Sequence, residues 1–216
     1  MKGREEMIKI VDYGMGNLRS VQKALHKLNF DADITSDPND LESSRGIILP
    51  GVGAFKDAFD NLKTKGMVNS IKKAVDKGIP LLGICLGMQM LMTYSEENGM
   101  HKGLDLIPGS VERFPRDMTV PHMGWNQLLF SGQHPLLKGI KSGDFVYFVH
   151  SYYCVPDSVG AVIAETEYGL NFASVVAREN IMGIQFHPEK SSLLGLKILQ
   201  NYGEMIENAA DTGNRY

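Results

Sequence analysis

The first half of the chain alternates short apolar runs with segments of helical periodicity. Four runs predict strands, at residues 7–12, 32–36, 46–49 and 80–84. Between them, apolar residues recur at three- and four-residue intervals, first at Leu18, Val21, Leu25 and Leu28 and later at Val68, Ile71, Ala74 and Val75. This spacing is that of one face of a helix. Strands that alternate with helices predict a mostly parallel sheet with helices on both faces.

Signals at the ends of these segments support the two helices. Asn17 stands where a side chain could cap the first helix, and Gly78, followed by Pro80, is well placed to end the second. After the fourth apolar run, a short helix is expected to extend through Gln89 to Thr93. The chain therefore predicts a turn from a strand directly into a helix near residue 85.

The second half of the chain has a different pattern, with extended segments and few helices. These segments lie near 124–130, 145–154, 160–166, 172–177 and 181–186. They predict antiparallel additions to the sheet, or a small separate sheet, before a closing helix over about 191–207. Because no internal repeat or low-complexity linker interrupts the chain, we expect one domain over 7–208, with flexible termini at 1–6 and 209–216.

Composition and charge argue against several classes of function. The 216 residues are 43% hydrophobic and 22% charged, and the 22 basic and 25 acidic residues are interspersed, with a net charge of -3. The chain has no basic stripe of the kind that binds nucleic acid. No apolar run approaches the roughly 18 residues of a membrane span. The charged start MKGREEM lacks the apolar core of a signal peptide. We therefore expect a cytoplasmic protein without nucleic-acid or membrane partners.

The cysteines and histidines do not suggest a disulfide or a metal site. Cys85 and Cys154 are expected to be free thiols, because a chain without an export signal stays in a reducing compartment. The six histidines show no paired ligand spacing with each other or with cysteine. The sequence therefore predicts neither a metal nor a cofactor.

The sharpest local motif is GICLG at 83–87, a cysteine version of the strand-to-helix turn G-x-S-x-G that presents a nucleophile. Its glycines keep side chains away from a sharp turn that follows a buried strand. Cys85 would then project at the carboxyl edge of the sheet, at a helix N-terminus, which favours the thiolate. A buried structural cysteine is the alternative, and that is the interpretation for Cys154, whose run SYYCVP has no glycine frame.

A second motif, FHPEK at 186–190, supplies a histidine and a carboxylate. The following proline favours an extended His187, and residues two apart in an extended segment project to the same side. His187 and Glu189 could therefore act as a base and the acid that orients it. A histidine near a carboxylate is also common on protein surfaces, so this hypothesis depends on Cys85 lying across a cleft.

Two glycine-rich turns follow the first and third predicted strands. PGVG at 50–53 ends a parallel strand, where ligand crevices form in open α/β sheets, and its glycines would let backbone approach a ligand or let a peptide unit rotate. The alternative is a simple tight turn. DYGMGN at 12–17 resembles a dinucleotide-binding loop, but Arg19 stands at the position of the third glycine. Nucleotide binding is therefore not expected.

Together, GICLGMQ, the late HPE and the early PGVG resemble the class I glutamine amidotransferases, over nearly the whole chain. The resemblance implies a flavodoxin-like α/β fold and hydrolysis of glutamine through a thioester. Cys85 would be the nucleophile, His187 the proton donor to ammonia and Glu189 the residue that orients His187. It further implies oxyanion donors on the backbone of Leu86 and Val52. Positions that the family uses to hold glutamine correspond to Gly51, Gly53, Gln89, Ser151 and Tyr152.

Three further runs, DYGMGNLRSV, PHMGWN and YFVHSYY, resemble the glutaminase subunits of imidazole glycerol phosphate synthases. The resemblance implies a heterodimer with a cyclase subunit built as a (β/α)₈ barrel, in histidine biosynthesis, and a partner interface at Asn17, Met123 and Trp125. For Trp125, a core position in a strand is the alternative. Thr119 replaces a basic residue that relatives often carry just before the run VPHMGWN at 120–126. A different ammonia acceptor, such as one in surface-sugar synthesis, therefore stays open.

Two other classes of function also stay open. Other flavodoxin-like proteins place a cysteine on the same turn and act as peptidases or deglycating enzymes, although HPE and Gln89 argue against them. A domain that kept the fold and lost the reaction would be a silent binding module, which an intact set of Cys85, His187 and Glu189 argues against. Release of glutamate from glutamine tests the first alternative. Fast thiol alkylation that glutamine slows would exclude the second.

Overall fold

The computed structural model describes residues 7–212, with side chains described through residue 208. Residues 1–6 and 213–216, which belong to the termini expected to be flexible, lie outside the described residues. The described chain forms one large mixed sheet, a separate two-stranded ribbon, and helices on both faces of the sheet.

The strands and helices of the described residues are numbered separately, each in chain order. The strands are β1 (Ile8–Val11), β2 (Ala32–Thr35), β3 (Gly46–Gly51), β4 (Leu81–Cys85), β5 (Tyr94–Ser95), β6 (His101–Lys102), β7 (Gly109–Arg113), β8 (His122–Gln127), β9 (Phe145–His150), β10 (Tyr152–Pro156), β11 (Val162–Glu167), β12 (Asn171–Arg178) and β13 (Ile181–Ile184). The helices are α1 (Leu18–Lys27), α2 (Phe55–Thr64), α3 (Met67–Asp76), α4 (Leu86–Met90) and α5 (Ser192–Thr212).

The parallel half of the sheet has the strand order β2-β1-β3-β4-β13. Every residue of β1, β3, β4 and β13 is buried. Helices α1 and α5 pack on one face of this half, and α2 and α3 pack on the other. Burial on both faces explains why these strands are continuous apolar runs. The predicted mostly parallel sheet with helices on both faces is confirmed.

The second half of the chain supplies antiparallel strands in two places. β12 pairs antiparallel with β13, β10 and β11, which extends the large sheet. β8 and β9 form a separate antiparallel ribbon, so both alternatives from the sequence occur. The extended segment predicted near 145–154 is present but divided, because β9 ends at His150 in the ribbon and β10 begins at Tyr152 in the large sheet.

Several element boundaries differ from the sequence prediction. Helix α2 and strands β5, β6 and β7 were not predicted. Asn17 precedes α1, but its side chain makes no capping hydrogen bond, so its predicted capping role is wrong. Gly78 has φ 80° and follows the end of α3, as expected. Helix α4 ends at Met90, before Thr93, and α5 extends to Thr212, beyond the predicted end of the closing helix.

Some general features of the described residues bear on function. None of the helices within 7–212 is both long and apolar enough to cross a bilayer. In the same range, no cluster of three or more histidine, cysteine or acidic side chains is arranged to hold a metal ion. Cys85 and Cys154 are free and buried. Burial, with the nearby Cys85, raises the pKa of the Cys154 thiol far above its usual range, so Cys154 is an inert core residue.

Candidate active site

Cys85 lies on a sharp turn at the carboxyl end of β4, directly before α4. Its backbone has φ 55° and ψ −110°, a conformation that few residues other than glycine adopt. A Cβ at Gly83 would lie 2.7 Å from the backbone carbonyl of Gly87. A Cβ at Gly87 would overlap the carbonyl oxygen of Leu49 in β3. The two glycines therefore permit the turn, which presents the thiol at the carboxyl edge of the sheet.

His187 and Glu189 follow β13, which is the neighbour of β4 in the sheet. His187 is extended, with φ −96° and ψ 102°, but Glu189 lies in a 3₁₀ turn at Pro188–Lys190. The expectation that both residues share one extended segment is therefore wrong, because proline at the first position starts a helical turn. The two side chains meet nonetheless. Nδ1 of His187 lies 3.0 Å from Oε1 of Glu189, and neither side chain is more than 5% exposed.

The imidazole of His187 lies between the Cys85 thiol and the Glu189 carboxylate. Burial acts to lower the pKa of His187, but hydrogen bonds and charge interactions with Cys85 and Glu189 outweigh it and raise the pKa to about 9. Burial acts to raise the pKa of Glu189, but His187 and a hydrogen bond from Asn17 lower it overall. At neutral pH, a protonated His187 can therefore stabilise a thiolate and donate a proton.

The PGVG turn faces the nucleophile, because β3 ends at Gly51, which is the register partner of Cys85. A Cβ at Gly51 would lie 2.6 Å from the Tyr13 hydroxyl oxygen and 2.9 Å from the Cβ of Leu86. This position therefore accepts no side chain. The Tyr13 hydroxyl donates a hydrogen bond of 2.9 Å to the Pro50 carbonyl, which anchors the peptide unit just before Gly51.

A cavity of about 350 Å³ lies between these elements. Cys85, His187 and the two positions expected to donate to an oxyanion, Val52 and Leu86, all line it. The predicted glutamine-binding residues that line it are Gly53, Gln89, Ser151 and Tyr152. A larger cavity of about 630 Å³ lies over residues 130–140 and contains none of the predicted residues. The structure therefore gathers the predicted chemistry into the smaller cavity.

The class I glutamine amidotransferase family model matches residues 9–203. The chain belongs to this family. A relative from Moorella thermoacetica, imidazole glycerol phosphate synthase subunit HisH, is 53% identical over 207 residues, which cover 96% of this chain and 99% of the relative. The subunit of the same name from Syntrophotalea carbinolica is 52% identical over 206 residues, covering 92% of this chain and 100% of that relative.

Solved structures of more distant proteins share the fold of this amidotransferase. The structure of PurLQS from Thermotoga maritima aligns with a TM-score of 0.72 at 19% identity, covering 95% of this chain and 99% of that chain. A crystal structure of a glutamine amidotransferase aligns with a TM-score of 0.72 at 20% identity, covering 94% of this chain and 99% of that chain. At these identities the likeness supports the fold alone.

Four polar residues of the amidotransferase site were not predicted from the sequence, among them His150, which lines the cavity. Glu97 lines the cavity, and its carboxylate accepts a hydrogen bond of 2.7 Å from the backbone N–H of Phe55. Lys190 lines the cavity as well. Gln185 is buried, and its amide donates to Sγ of Cys85 at 3.7 Å. Lys190 and Gln185 flank the FHPE motif, which was an available signal, whereas Glu97 reaches the cavity only through the tertiary fold.

The ribbon β8–β9 carries an exposed apolar face. Met123 is 65% exposed and Trp125 is 52% exposed. The ring of Trp125 packs edge-on against Tyr147, its cross-strand neighbour, with 5.9 Å between ring centroids. The alternative that Trp125 is a core residue is therefore wrong. Asn17 is also exposed, so all three residues predicted for a partner interface lie at the surface.

Proposed function

We propose that this chain is the glutaminase subunit of an imidazole glycerol phosphate synthase. It hydrolyses L-glutamine to glutamate and ammonia and passes the ammonia to a cyclase partner in histidine biosynthesis. One observation carries the proposal: Cys85 and His187 line the same cavity as Gln89, and Nδ1 of His187 lies 3.0 Å from Oε1 of Glu189. The relatives named HisH match almost over their full length, which supports this particular amidotransfer within the family.

The reaction starts with the thiolate of Cys85 attacking the side-chain amide carbon of glutamine. A C–S bond forms, and the amide oxygen becomes an oxyanion. When this intermediate collapses, the C–N bond breaks and protonated His187 gives its proton to the departing nitrogen, which leaves as ammonia. Neutral His187 then takes a proton from water, whose oxygen attacks the thioester. The C–S bond breaks, and glutamate and the thiolate are released.

The oxyanion needs hydrogen-bond donors on the same side of the cavity as the thiol. The backbone N–H of Leu86 follows Cys85 at the start of α4, and Val52 lies across from it in the PGVG turn. We assign these two backbone groups as the donors, each worth roughly 2.7–4 kcal/mol in the transition state. Tyr13 anchors the Pro50 carbonyl and so fixes the peptide unit before Gly51. The next peptide unit, between Gly51 and Val52, is therefore the one that would rotate to direct the Val52 N–H toward the oxyanion.

Substrate binding follows from the polar groups around the cavity. The Gln89 amide donates to the Tyr152 carbonyl at 2.9 Å and to Oε1 of Gln185 at 3.1 Å, which fixes its orientation. Ser151 and Gly53 lie close by and supply backbone groups. The Glu97 carboxylate is suited to pair with the α-ammonium group of an amino acid. Together with Gly51 of the PGVG turn, these residues would hold glutamine with its side-chain amide close to the Cys85 thiol.

The proposed partner is a cyclase subunit built as a (β/α)₈ barrel, which forms a heterodimer with this chain in the cytoplasm. Its docking surface would include Met123 and Trp125 on the ribbon and Asn17 at the start of α1. Large contiguous apolar patches on a protein surface often mark binding sites for a partner, and aromatic anchors often dominate interfaces. Asn17 also lowers the pKa of Glu189, so this part of the surface lies near the triad.

Co-purification followed by an activity assay tests the proposal. The chain, co-expressed with the cyclase from the same genome, should form a complex that makes imidazole glycerol phosphate and aminoimidazole carboxamide ribotide from glutamine. If the complex released glutamate but neither product formed, a different ammonia acceptor, as in surface-sugar synthesis, would be favoured. If no glutamate were released, the glutaminase assignment would be wrong.

A further inference from the structure

Two buried histidines connect the ribbon to the cavity. His122 on β8 and His150 on β9 are cross-strand partners and are 4% and 6% exposed. Nδ1 of His122 lies 3.1 Å from Nε2 of His150. Nδ1 of His150 lies 2.8 Å from the Tyr152 carbonyl oxygen, and Nδ2 of Asn126 lies 3.3 Å from Nε2 of His122. These four residues therefore form one continuous run of hydrogen bonds.

The direction of every bond in this run follows from its two ends. The Tyr152 carbonyl can only accept, so Nδ1 of His150 carries a proton and donates it. In a neutral ring, Nε2 of His150 then accepts from Nδ1–H of His122, whose own Nε2 accepts from Asn126. The amide of Asn126 is fixed in this orientation, because Oδ1 accepts from the Gln127 N–H at 2.8 Å and Nδ2 also donates to the Glu167 carbonyl at 2.9 Å.

Both histidines are neutral at physiological pH, as this arrangement requires. Burial lowers the pKa of His122 to about 4. Burial also lowers the pKa of His150 to about 3, with the charges of His122 and His187 acting in the same direction against the hydrogen bond to Tyr152. An aromatic shell encloses the pair: the His122 ring stacks on Tyr168 with 4.1 Å between centroids, and Phe172 packs against both rings.

The run continues from Tyr152 to the nucleophile. The Tyr152 carbonyl also accepts from Nε2 of Gln89 at 2.9 Å. The other N–H of that amide donates to Oε1 of Gln185 at 3.1 Å, which turns the Gln185 amide nitrogen toward Sγ of Cys85 at 3.7 Å. A hydrogen bond donated to sulfur favours the thiolate over the thiol. Each orientation along the run thus depends on the one before it.

We propose that His122 and His150 are positioning residues for the glutaminase reaction. They hold the Tyr152 carbonyl in the wall of the glutamine cavity and, through Gln89 and Gln185, orient the hydrogen bond that Cys85 receives. The inference rests on the proposed function, because it assigns a role within that site. It also goes further, since it connects Asn126 and His122, which do not line the cavity, to the thiol.

A pair of substitutions at His122, which does not line the cavity, tests this connection. His122→Asn keeps an amide donor at the position of Nδ1, whereas His122→Phe keeps the stacked ring and removes the donor. We expect His122→Phe to lower glutamine turnover of the cyclase-bound enzyme by roughly tenfold, because a buried acceptor on His150 loses its partner. It should also raise the midpoint of the pH profile for alkylation of Cys85. His122→Asn should restore most of both properties.

Two further variants make the test specific. Tyr168→Phe keeps the ring that stacks on His122 and removes only the hydroxyl that donates to the Thr119 carbonyl at 2.9 Å, so turnover and the alkylation midpoint should stay at native values. Gln185→Met removes the donor to sulfur without adding a charge, so it should raise the alkylation midpoint even if His122→Phe does not fold. Alkylation of Cys85→Ser gives the background.

The outcomes separate the inference from the proposed function. Equal turnover and equal alkylation midpoints in His122→Phe and His122→Asn would overturn the inference, as would a native midpoint in Gln185→Met. A loss in Tyr168→Phe as large as that in His122→Phe would also overturn it, because this variant leaves every donor and acceptor of the run in place. Absence of glutamate release by the native complex would refute the proposed function, whereas the alkylation profiles would still decide whether the run of hydrogen bonds reaches the thiol.

Discussion

Replacement of Glu189 by glutamine removes the charge beside His187 but keeps the shape of the side chain. In the native protein, Nδ1 of His187 lies 3.0 Å from Oε1 of Glu189, and neither side chain is more than 5% exposed. A hydrogen bond to a charged partner is worth about 1.5–3 kcal/mol, and about 1.4 kcal/mol corresponds to a factor of ten in rate. We therefore expect Glu189→Gln to lower glutamine turnover roughly 10- to 100-fold.

The same substitution should shift the pH dependence of turnover. The pKa of His187 is raised from 6.5 to about 9, so its proton is present at neutral pH and is lost as the pH rises through about 9. Native turnover should decline above that pH, because His187 must donate to ammonia. Without the Glu189 charge, the decline should begin nearer neutrality. Stability should depend on pH in the same direction. The contribution of His187 to the free energy of unfolding is fully present below about pH 6.5 and is lost as the pH rises through about 9.

Glutamate release by the cyclase-bound enzyme, measured from about pH 6 to about pH 10, reports both effects. His187→Asn is the reference, because it removes the proton donor itself and should lower turnover about a thousandfold. Circular dichroism of both variants controls for folding. If Glu189→Gln proved more damaging than His187→Asn, or if the alkaline decline stayed in place, the assignment of proton donor and orienting residue would be refuted.

Three further predictions concern the nucleophile, the interface and the coupling to the partner. Cys85→Ser should abolish glutamine-dependent product formation and leave the ammonia-dependent reaction of the complex intact, since only ammonia production needs the thiolate; assays with glutamine and with an ammonium salt separate the two. Trp125→Ala should weaken binding of the cyclase by about 2 kcal/mol, or roughly 30-fold in Kd, as for an aromatic anchor. The isolated chain should hydrolyse glutamine slowly, and the cyclase loaded with its ribonucleotide should accelerate it by about 10²- to 10³-fold, the effect of one oxyanion donor.

Each of these predictions has an outcome that contradicts it. Glutamine-dependent turnover in Cys85→Ser would exclude Cys85 as the nucleophile. Native affinity in Trp125→Ala, or loss of the fold of the isolated subunit, would count against an anchor at the ribbon surface. Full activity of the isolated chain would refute the reorientation of the peptide unit before Val52, while leaving the roles of Cys85 and His187 in place.

The parallel half of the fold and the motif residues could be predicted because their constraints are local. Strands β1, β3 and β4 are buried on both faces, so their sequences are apolar throughout. Gly83 and Gly87 must be glycine because backbone lies where a Cβ would be. These requirements determine the residue type at the positions concerned, so the glycines on either side of Cys85 predicted the turn on which it lies.

The remaining features depend on contacts between distant parts of the chain. Residues 145–154 form a continuous extended run, and nothing local shows that Ser151 separates two strands with partners in different sheets. Glu97 reaches the cavity from the segment after β5 and bonds to Phe55 at the start of α2. Asn17 stands at a capping position, but its side chain makes no capping hydrogen bond and instead lowers the pKa of Glu189 from the far end of the chain.

The strand order has a consequence for the time at which activity can arise. Cys85 ends β4, whereas His187 follows β13, the strand that lies beside β4 yet is the last to be reached along the described chain. Because synthesis proceeds from the N-terminus, a chain still on the ribosome carries the nucleophile long before its base has emerged. Insertion of β13 between β4 and β12 then assembles the pair. Nascent subunits therefore cannot consume glutamine before His187 has been synthesised and β13 has paired with β4.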